Sequence, residues 1–429
     1  MVKTSACQGD YVEVHLMHKI YEGLLLESPQ DEKDVVLFKL NNGYNIGLNK
    51  KDIIEIKVKK KYSPIVEKFE TKSDEEKPNI GMVMVGGTIS SQLDSKTGAV
   101  KWLTSPEKLF QFYPEVFKHA NVSRIESPFK KDSGEMDFKD WKEIAKSVDV
   151  LLKDDNIKGV IVTHGTDSLH YTATALSFFL RDLNKPVVLT YSQRSTDRAS
   201  SDASLNLECA SLVAVSDIAE VVLVGHADTN DDFCYVLRGT KVRKMHSSRR
   251  DAFRPINTKP IAKVFPNKME ILSSFNPVRK ENKKVYLDNK FEGKIALIKY
   301  FPGQDPDILD YFLKKGCKGV VIEFMGLGQI AAYESRNNWI PKLKEVQKKG
   351  MFICATAQTI YGRLNPKVYS TGRELLKTGV VYLGDMHSET ALVKLGWVLG
   401  HTDWASSNEK IREKMLENIS GEFNDRLEE

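Results

Sequence analysis

The sequence predicts an α/β protein in which a small all-β module precedes two domains built on parallel sheets. Residues 1–58 alternate apolar and polar side chains in short runs broken at Asn41-Asn42-Gly43, the pattern of hairpin-linked strands. From Asn79 onward, short apolar runs alternate with stretches of helical period, as in successive βαβ units. The same alternation resumes after a break over 266–292. At 429 residues the chain exceeds what one hydrophobic core fills, which agrees with several domains.

Taken in order, residues 11–16, 21–26, 35–40, 44–48 and 53–58 read as five strands, a count that suits a small SH3-like or OB-like barrel over 1–60. Its lysines and aromatic residues leave RNA binding open, although such a composition more often means a solvated surface. Residues 61–79 are charged and proline-marked, a linker. The larger α/β domain spans 80–265. Met82 to Val85 form a strand apolar on both faces and ending at Gly86-Gly87. Residues 138–152 carry apolar side chains at helical spacing behind Asp137, a good N-cap residue. Strands at 159–163, 187–191 and 221–224 alternate with helices at 168–180 and 202–215. After the 266–292 connector, the smaller α/β domain over 293–429 repeats the pattern. Its strands are expected at 295–300, 320–324 and 352–356, and its helices at 305–315, from about 336 to 350, and at 388–399. A polar tail follows Trp404.

Apolar content of 41% and charged content of 28% describe an ordinary globular chain, and the net charge of +5 permits an acidic partner without demanding one. No apolar run reaches the roughly 18 residues of a membrane span, and no basic-then-apolar leader opens the chain. Five scattered cysteines without a Cys-x-x-Cys pair point to a reducing cytoplasm and away from a zinc site.

Three stretches could carry chemistry. A buried parallel strand that breaks at glycine delivers its next side chain to the crevice at the sheet's carboxyl edge, where open α/β folds bind ligands. Thr88 stands at such a break. A lone Gly-Gly-Thr is, however, more often a helix cap. Val160-Ile-Val-Thr-His-Gly-Thr-Asp167 repeats the design, with Thr166 beside a carboxylate and a helix expected at once, whose amides and dipole would favour an oxyanion. Thr-Asp-Ser is also an ordinary capping sequence. A threonine hydroxyl needs a base, and Lys244, with Arg238, Lys241 and Arg243 nearby in sequence, is a candidate because like charges and burial favour a neutral amine. A solvated basic loop is the commoner meaning of such a cluster.

Gly86-Gly-Thr-Ile89, His164-Gly-Thr-Asp167 and Gly239 to Lys244 together resemble the three catalytic segments of the L-asparaginase family. Gln193 to Asp202 with Asn206-Leu207, Tyr361-Gly-Arg363, Tyr369-Ser-Thr-Gly372 and Glu389 to Trp397 are similar to further segments of it. The N-terminal module, notably Asn42 to Gly47, resembles one branch, the GatD subunits of the archaeal glutamyl-tRNA(Gln) amidotransferases. The resemblance implies a two-domain asparaginase-like fold behind a small SH3-like barrel, and a glutaminase. It implies that Thr88 and Thr166 are the two catalytic threonines and that Lys244 assists Thr166. Asp167 would bind the substrate α-ammonium group, and Ser133 would contact its α-carboxylate. Gly134 and Glu135 depart from the family's usual neighbours of that serine.

The reaction so implied is amide hydrolysis through a threonine ester; spacing does not settle which threonine forms it, and Thr88 is assigned here as primary nucleophile supported by Thr166, Asp167 and Lys244. Ammonia passes to a transamidase partner, the GatE subunit, which converts Glu-tRNA(Gln) to Gln-tRNA(Gln). No cofactor is expected in this chain, and ATP and Mg2+ belong to the partner. A homodimer within a heterotetramer is the expected assembly. Free asparaginases carry a tyrosine on the loop after the first threonine, but residues 90–101 hold none. The lid is therefore expected to become productive only when the partner docks. Gly326-Leu-Gly328-Gln-Ile-Ala331 loosely fits a dinucleotide fingerprint, yet the next strand ends in Ala-Gln-Thr-Ile without a ribose-binding acid. A free cytosolic asparaginase with an extra module, and an inactive or RNA-binding scaffold, are the alternatives. The intact Thr, Thr-Asp and Lys set disfavours the scaffold.

Overall fold

The computed structural model describes residues 5–7, 9–26, 34–41, 44–61, 74–93, 100–102, 110, 113–195, 200–279 and 284–427. The Asn42-Gly43 turn, linker residues 62–73 and residues 94–98 of the loop after Thr88 lie outside them.

The N-terminal module is an antiparallel sheet of β1 (Tyr11–Leu16), β2 (Ile20–Leu25), β3 (Val35–Leu40), β4 (Asn45–Asn49) and β5 (Ile53–Lys60), ordered β4-β3-β2-β1-β5. Val12, Val14, Leu25, Val36, Phe38, Leu48 and Ile53 supply its buried face, as alternation demands. Lys57, Lys59 and Lys61 pair with Glu55, Glu13 and Asp10, the arrangement of a solvated surface and not of a bare basic face.

The larger domain is organised on β6 (Asn79–Met84), β7 (Asn121–Glu126), β8 (Ile157–Thr163), β9 (Val187–Thr190), β10 (Val221–His226), β11 (Cys234–Arg238), β12 (Ala262–Phe265) and β13 (Lys268–Ile271). Their order is β13-β12-β11-β10-β9-β8-β6-β7. β7, β6, β8, β9 and β10 are mutually parallel, and the last three strands are antiparallel. Period-two alternation splits the core cleanly. Val83, Val160, Val162, Leu189 and Leu223 face one layer, and Met82, Met84, Ile161, Val188 and Val222 face the other. Helices α1 (Phe138–Leu152) and α2 (Leu169–Phe179) cover the first face, and α3 (Ala203–Ala214) covers the second. Asp137 and Asp140 close a capping box that starts α1 where the sequence places it.

The smaller domain is a parallel sheet of β14 (Ile295–Lys299), β15 (Gly319–Phe324), β16 (Phe352–Ala357) and β17 (Val381–Tyr382) in that order. Helices α4 (Ile308–Lys314) and α5 (Trp339–Lys348) start later than the spacing predicts. Asp305 holds a turn ahead of α4, and Asn338 is the residue that caps α5. Helix α6 (Ser370–Leu376) follows, then α7 (Ser388–Leu399), and the polar tail forms α8 (Asn408–Leu416). Helix α7 belongs to both domains: Trp397 stacks on Phe178 of α2 at 5.5 Å, while Leu395 and Val398 join the same core.

The 266–292 connector contains two features without a periodic signal. The edge strand β13 is mostly exposed, so its side chains need not alternate, and Tyr286–Leu287 is a two-residue pairing with Leu180–Arg181. Among the described residues no helix is long and apolar enough to cross a membrane.

Candidate active site

β6 and β8 are neighbours in register, with Met84 opposite Thr163, so the breaks that follow them meet at one point of the sheet's carboxyl edge. Gly87 has φ of 84°, which glycine adopts without penalty. A Cβ there would lie 2.3 Å from the Gly165 nitrogen, so the two breaks touch backbone to backbone. Thr88 and Thr166, the next residue on each strand, are thereby held on one rim. A short 3-10 turn at Thr88–Ser90 follows the first threonine, and Ser91 Oγ donates to the Thr88 carbonyl at 2.7 Å.

The second break is braced from three sides. The Asp167 amide donates to Ser133 Oγ at 3.1 Å, and Ser168 Oγ donates to the Ser133 carbonyl at 2.6 Å. The His164 Nδ1–H donates to the Gly165 carbonyl at 2.7 Å, which leaves Nε2 to accept from the Thr172 hydroxyl at 2.9 Å. Helix α2 begins at Leu169 and not directly after Thr166. Asp167 and Ser168 intervene, so the Asp167 amide serves Ser133 and not the threonine.

The neutral His164 ring is fully satisfied and buried. Burial, opposed only by the Gly165 bond, pushes its pKa down to about 4. The sign follows directly. Between about pH 6.5 and 4 the unfolded chain binds a proton that the folded chain refuses, so stability falls as pH falls. His164 alone is expected to remove about 3 kcal/mol by pH 4, and His170, pushed to about 3 chiefly by burial, adds to the trend. Urea midpoints at pH 7 and pH 4.5 read this effect. His164→Gln should flatten the pH dependence, and an unchanged slope in that variant would reject the assignment.

Lys244 comes from a two-stranded hairpin, Val242–Lys244 paired with Phe253–Pro255, that joins none of the larger sheets among the described residues. Its ammonium lies 2.8 Å from Thr166 Oγ1 and 2.7 Å from Asp167 Oδ1. The Lys244 side chain is 11% exposed and that of Asp167 is 72% exposed, so the lysine is packed away while the carboxylate looks outward. The basic run of the sequence is thus no solvated loop: Lys241 pairs with Asp385 at 2.5 Å, and Arg243 with Glu389 at 2.6 Å.

Of the residues expected from the sequence, Thr166, Asp167 and Lys244 share hydrogen bonds, Ser133 supports Asp167, and Thr88 stands on the adjoining break. Ser133 is buried, and its hydroxyl, already accepting from Asp167, retains one proton to donate. Sequence reasoning assigns no role to His164 or Glu389, and it reads Arg243 only as a like charge near Lys244, whereas the structure pairs it with Glu389. A histidine between a buried strand and Gly165 is the available clue for the first, and no spacing rule points to the pairing of Arg243 with Glu389.

Two threonines and a carboxylate at the rim of a parallel sheet, met by a lysine from a neighbouring hairpin, form an arrangement suited to amide hydrolysis, and the fold is of the asparaginase-type amidohydrolase class. The family comparisons agree. The model of the asparaginase N-terminal domain matches residues 79–276, that of the glutaminase/asparaginase C-terminal domain 294–415, and that of the GatD N-terminal domain 6–58. The GatD subunit of glutamyl-tRNA(Gln) amidotransferase from Pyrococcus furiosus is 46% identical over 97% of this chain and 94% of its own length. The protein of the same name from Methanothermobacter thermautotrophicus is 42% identical over 97% and 94%. The thermostable L-asparaginase from Thermococcus kodakarensis superposes with a TM-score of 0.70 at 29% identity, covering 81% of this chain and 99% of that one. The chain belongs to the GatD family of glutamyl-tRNA(Gln) amidotransferase subunits.

Proposed function

We propose that this chain is the glutaminase subunit of a tRNA-dependent amidotransferase, and that Thr88, Thr166, Asp167 and Lys244 carry the hydrolysis. The observation that supports it most is the single ammonium within hydrogen-bond distance of both the Thr166 hydroxyl and the Asp167 carboxylate. In the proposed reaction the Thr88 oxygen attacks the side-chain amide carbon of glutamine. For this step Lys244 acts as the free amine: it accepts the Thr166 hydroxyl proton while the Thr166 oxygen takes up the proton of the attacking Thr88 hydroxyl, and the same relay run in reverse returns a proton to the leaving nitrogen. The C–N bond breaks, ammonia leaves, and water hydrolyses the ester to glutamate and free threonine. Asp167, facing outward, receives the substrate α-ammonium group, and the remaining proton of Ser133 serves the α-carboxylate.

The ammonia is used by a transamidase partner, the GatE subunit, which activates Glu-tRNA(Gln) with ATP and Mg2+ and amidates it in the cytoplasm. This chain needs no cofactor for its own step. The assembly proposed is a homodimer of this chain within a heterotetramer that binds tRNA(Gln). The division of labour follows the chain: the module over 1–60, the linker over 61–79, the catalytic domain over 80–265, the connector over 266–292 and the smaller domain over 293–429.

The test compares glutamine and asparagine hydrolysis by the isolated chain and by the reconstituted complex. Glutamine should be preferred, and its hydrolysis should rise at least about tenfold on complex formation, because the loop after Thr88 lacks the family tyrosine. A preference for one methylene is worth about 1–3 kcal/mol, so the expected discrimination is about 10–200-fold. Equal glutamine rates in both states would remove partner activation, and a preference for asparagine would favour the free asparaginase.

A further inference from the structure

The hairpin that delivers Lys244 has three residues per strand and, among the described residues, shares no ladder with either domain's sheet. An isolated hairpin of that size does not hold its own position in water. Its placement comes from tertiary contacts: Phe253 packs on Tyr191 and His170 of the larger domain, and the segment leading into Lys244 is held largely by the N-terminal turn of α7 and the residues just before it.

Thr240 and its neighbours are gripped in sequence order. The Gly239 carbonyl accepts from Thr174 Oγ1 of α2 at 3.1 Å, and the Thr240 carbonyl accepts from Thr390 Oγ1 of α7 at 2.9 Å. Lys241 pairs with Asp385, both side chains fully buried. Arg243 Nε donates to Glu389 Oε1 at 2.6 Å. Strand alternation then turns Lys244 to the opposite side from Arg243, toward Thr166. On the small-domain side, the His387 ring bridges Glu389 Oε2 at 3.1 Å and Thr390 Oγ1 at 2.9 Å, and Ser388 Oγ ties the same turn to Glu323 of β15 at 2.6 Å.

Glu389 is therefore the side chain in this turn that joins Arg243 of the hairpin to His387 of the small domain. It is buried, and it stands in the first turn of α7, where the helix dipole favours a negative charge. Burial opposes its ionisation, but the His387 hydrogen bond and the His387 and Arg243 charges outweigh burial and hold its carboxyl well below the usual range. An ionised, buried carboxylate with a fixed partner on each domain is a rigid strut and not a surface pair.

We infer that Glu389 is a positioning residue for Lys244: through Arg243 it sets the hairpin that presents the ammonium to Thr166, so hydrolysis depends on how the small domain is seated. This rests on the role proposed above for Lys244. The hydrogen bonds of Glu389 and Arg243 run to each other, to His387 and Ser388, and to Met245, none of them a proposed reacting or substrate-binding group, so the effect belongs to the chemical step and not to substrate capture.

The experiment uses the reconstituted complex and compares Glu389→Gln, which keeps the shape and removes the charge, with Arg243→Gln and with the double variant. Each single change should lower kcat for glutamine hydrolysis about 10–100-fold while KM moves less than about threefold, measured well below each variant's thermal midpoint. The double variant should lose no more than the worse single one, because both remove one contact. A kcat within about twofold of the parent in both single variants would overturn the inference. So would losses that multiply in the double variant, or a KM that rises in step with the fall in kcat. Should Glu389→Gln fail to fold, Arg243→Gln and Arg243→Lys carry the same test, with Lys expected to recover part of the rate lost by Gln. Lys244→Met in the same complex separates the two readings. If it keeps full activity, the site assignment fails; if it is inactive while both single variants are active, only the strut fails.

Discussion

Thr166→Val in the reconstituted complex is expected to lower glutamine hydrolysis by at least about 10^3-fold, a loss of about 4 kcal/mol in transition-state stabilisation. Valine keeps the branched shape at the break after β8 and removes only the hydroxyl that lies 2.8 Å from the Lys244 ammonium. The backbone around it is fixed independently, by Ser133 on the Asp167 amide and by His164 on the Gly165 carbonyl. The variant should therefore fold, assemble with its partner and still bind glutamine through Asp167. Steady-state kinetics of ammonia release, with complex formation checked by size-exclusion chromatography, read both halves of the expectation. Thr88→Val should show a comparable loss, since Thr88 is the proposed nucleophile. The two are distinguished by trapping: only loss of Thr88 should abolish a covalent adduct with a reactive glutamine analogue outright. Retained hydrolysis in Thr166→Val with normal assembly would reject the site.

Both threonines are readable in the sequence because each owes its place to a local event, an apolar strand broken at glycine. Register does the rest, since Met84 pairs with Thr163 and brings the two breaks together. Helix α1 is equally local, set by a capping box within four residues of chain. Lys244 is different. Its partner Asp167 is 77 residues away, that of Lys241 is 144 away and that of Arg243 is 146 away. A run of cations looks solvated from within the sequence, and only the tertiary fold supplies one carboxylate to each. The same reason hides the hairpin itself, which is too short to show a period, and the edge strand β13, whose exposed side chains have no core to face. The helix expected at 168–180 starts at Leu169, with Ser168 at the N-cap position and its hydroxyl turned to the carbonyl of Ser133, a residue distant in sequence.

Lys244→Met and Lys244→Arg together carry the second large effect. Methionine fills much the same volume without an amine, and the Thr166 hydroxyl then loses the ammonium that lies 2.8 Å from it. A drop of about 10^2–10^4-fold in kcat is expected, the range for removing a group that moves a proton in the transition state. Arginine keeps the positive charge and its hydrogen bonds to Asp167, but a guanidinium does not release its proton in a protein. If Lys244 acts by exchanging a proton with Thr166, arginine should be nearly as inactive as methionine while its KM for glutamine stays close to that of the parent. If instead the ammonium serves only as a fixed charge beside Asp167, arginine should recover most of the rate. The comparison thus decides between proton transfer and electrostatic support, two roles that the same 2.8 Å contact allows. Full activity in Lys244→Met would leave the Thr166 hydroxyl without a base and would remove the hydrolytic mechanism altogether.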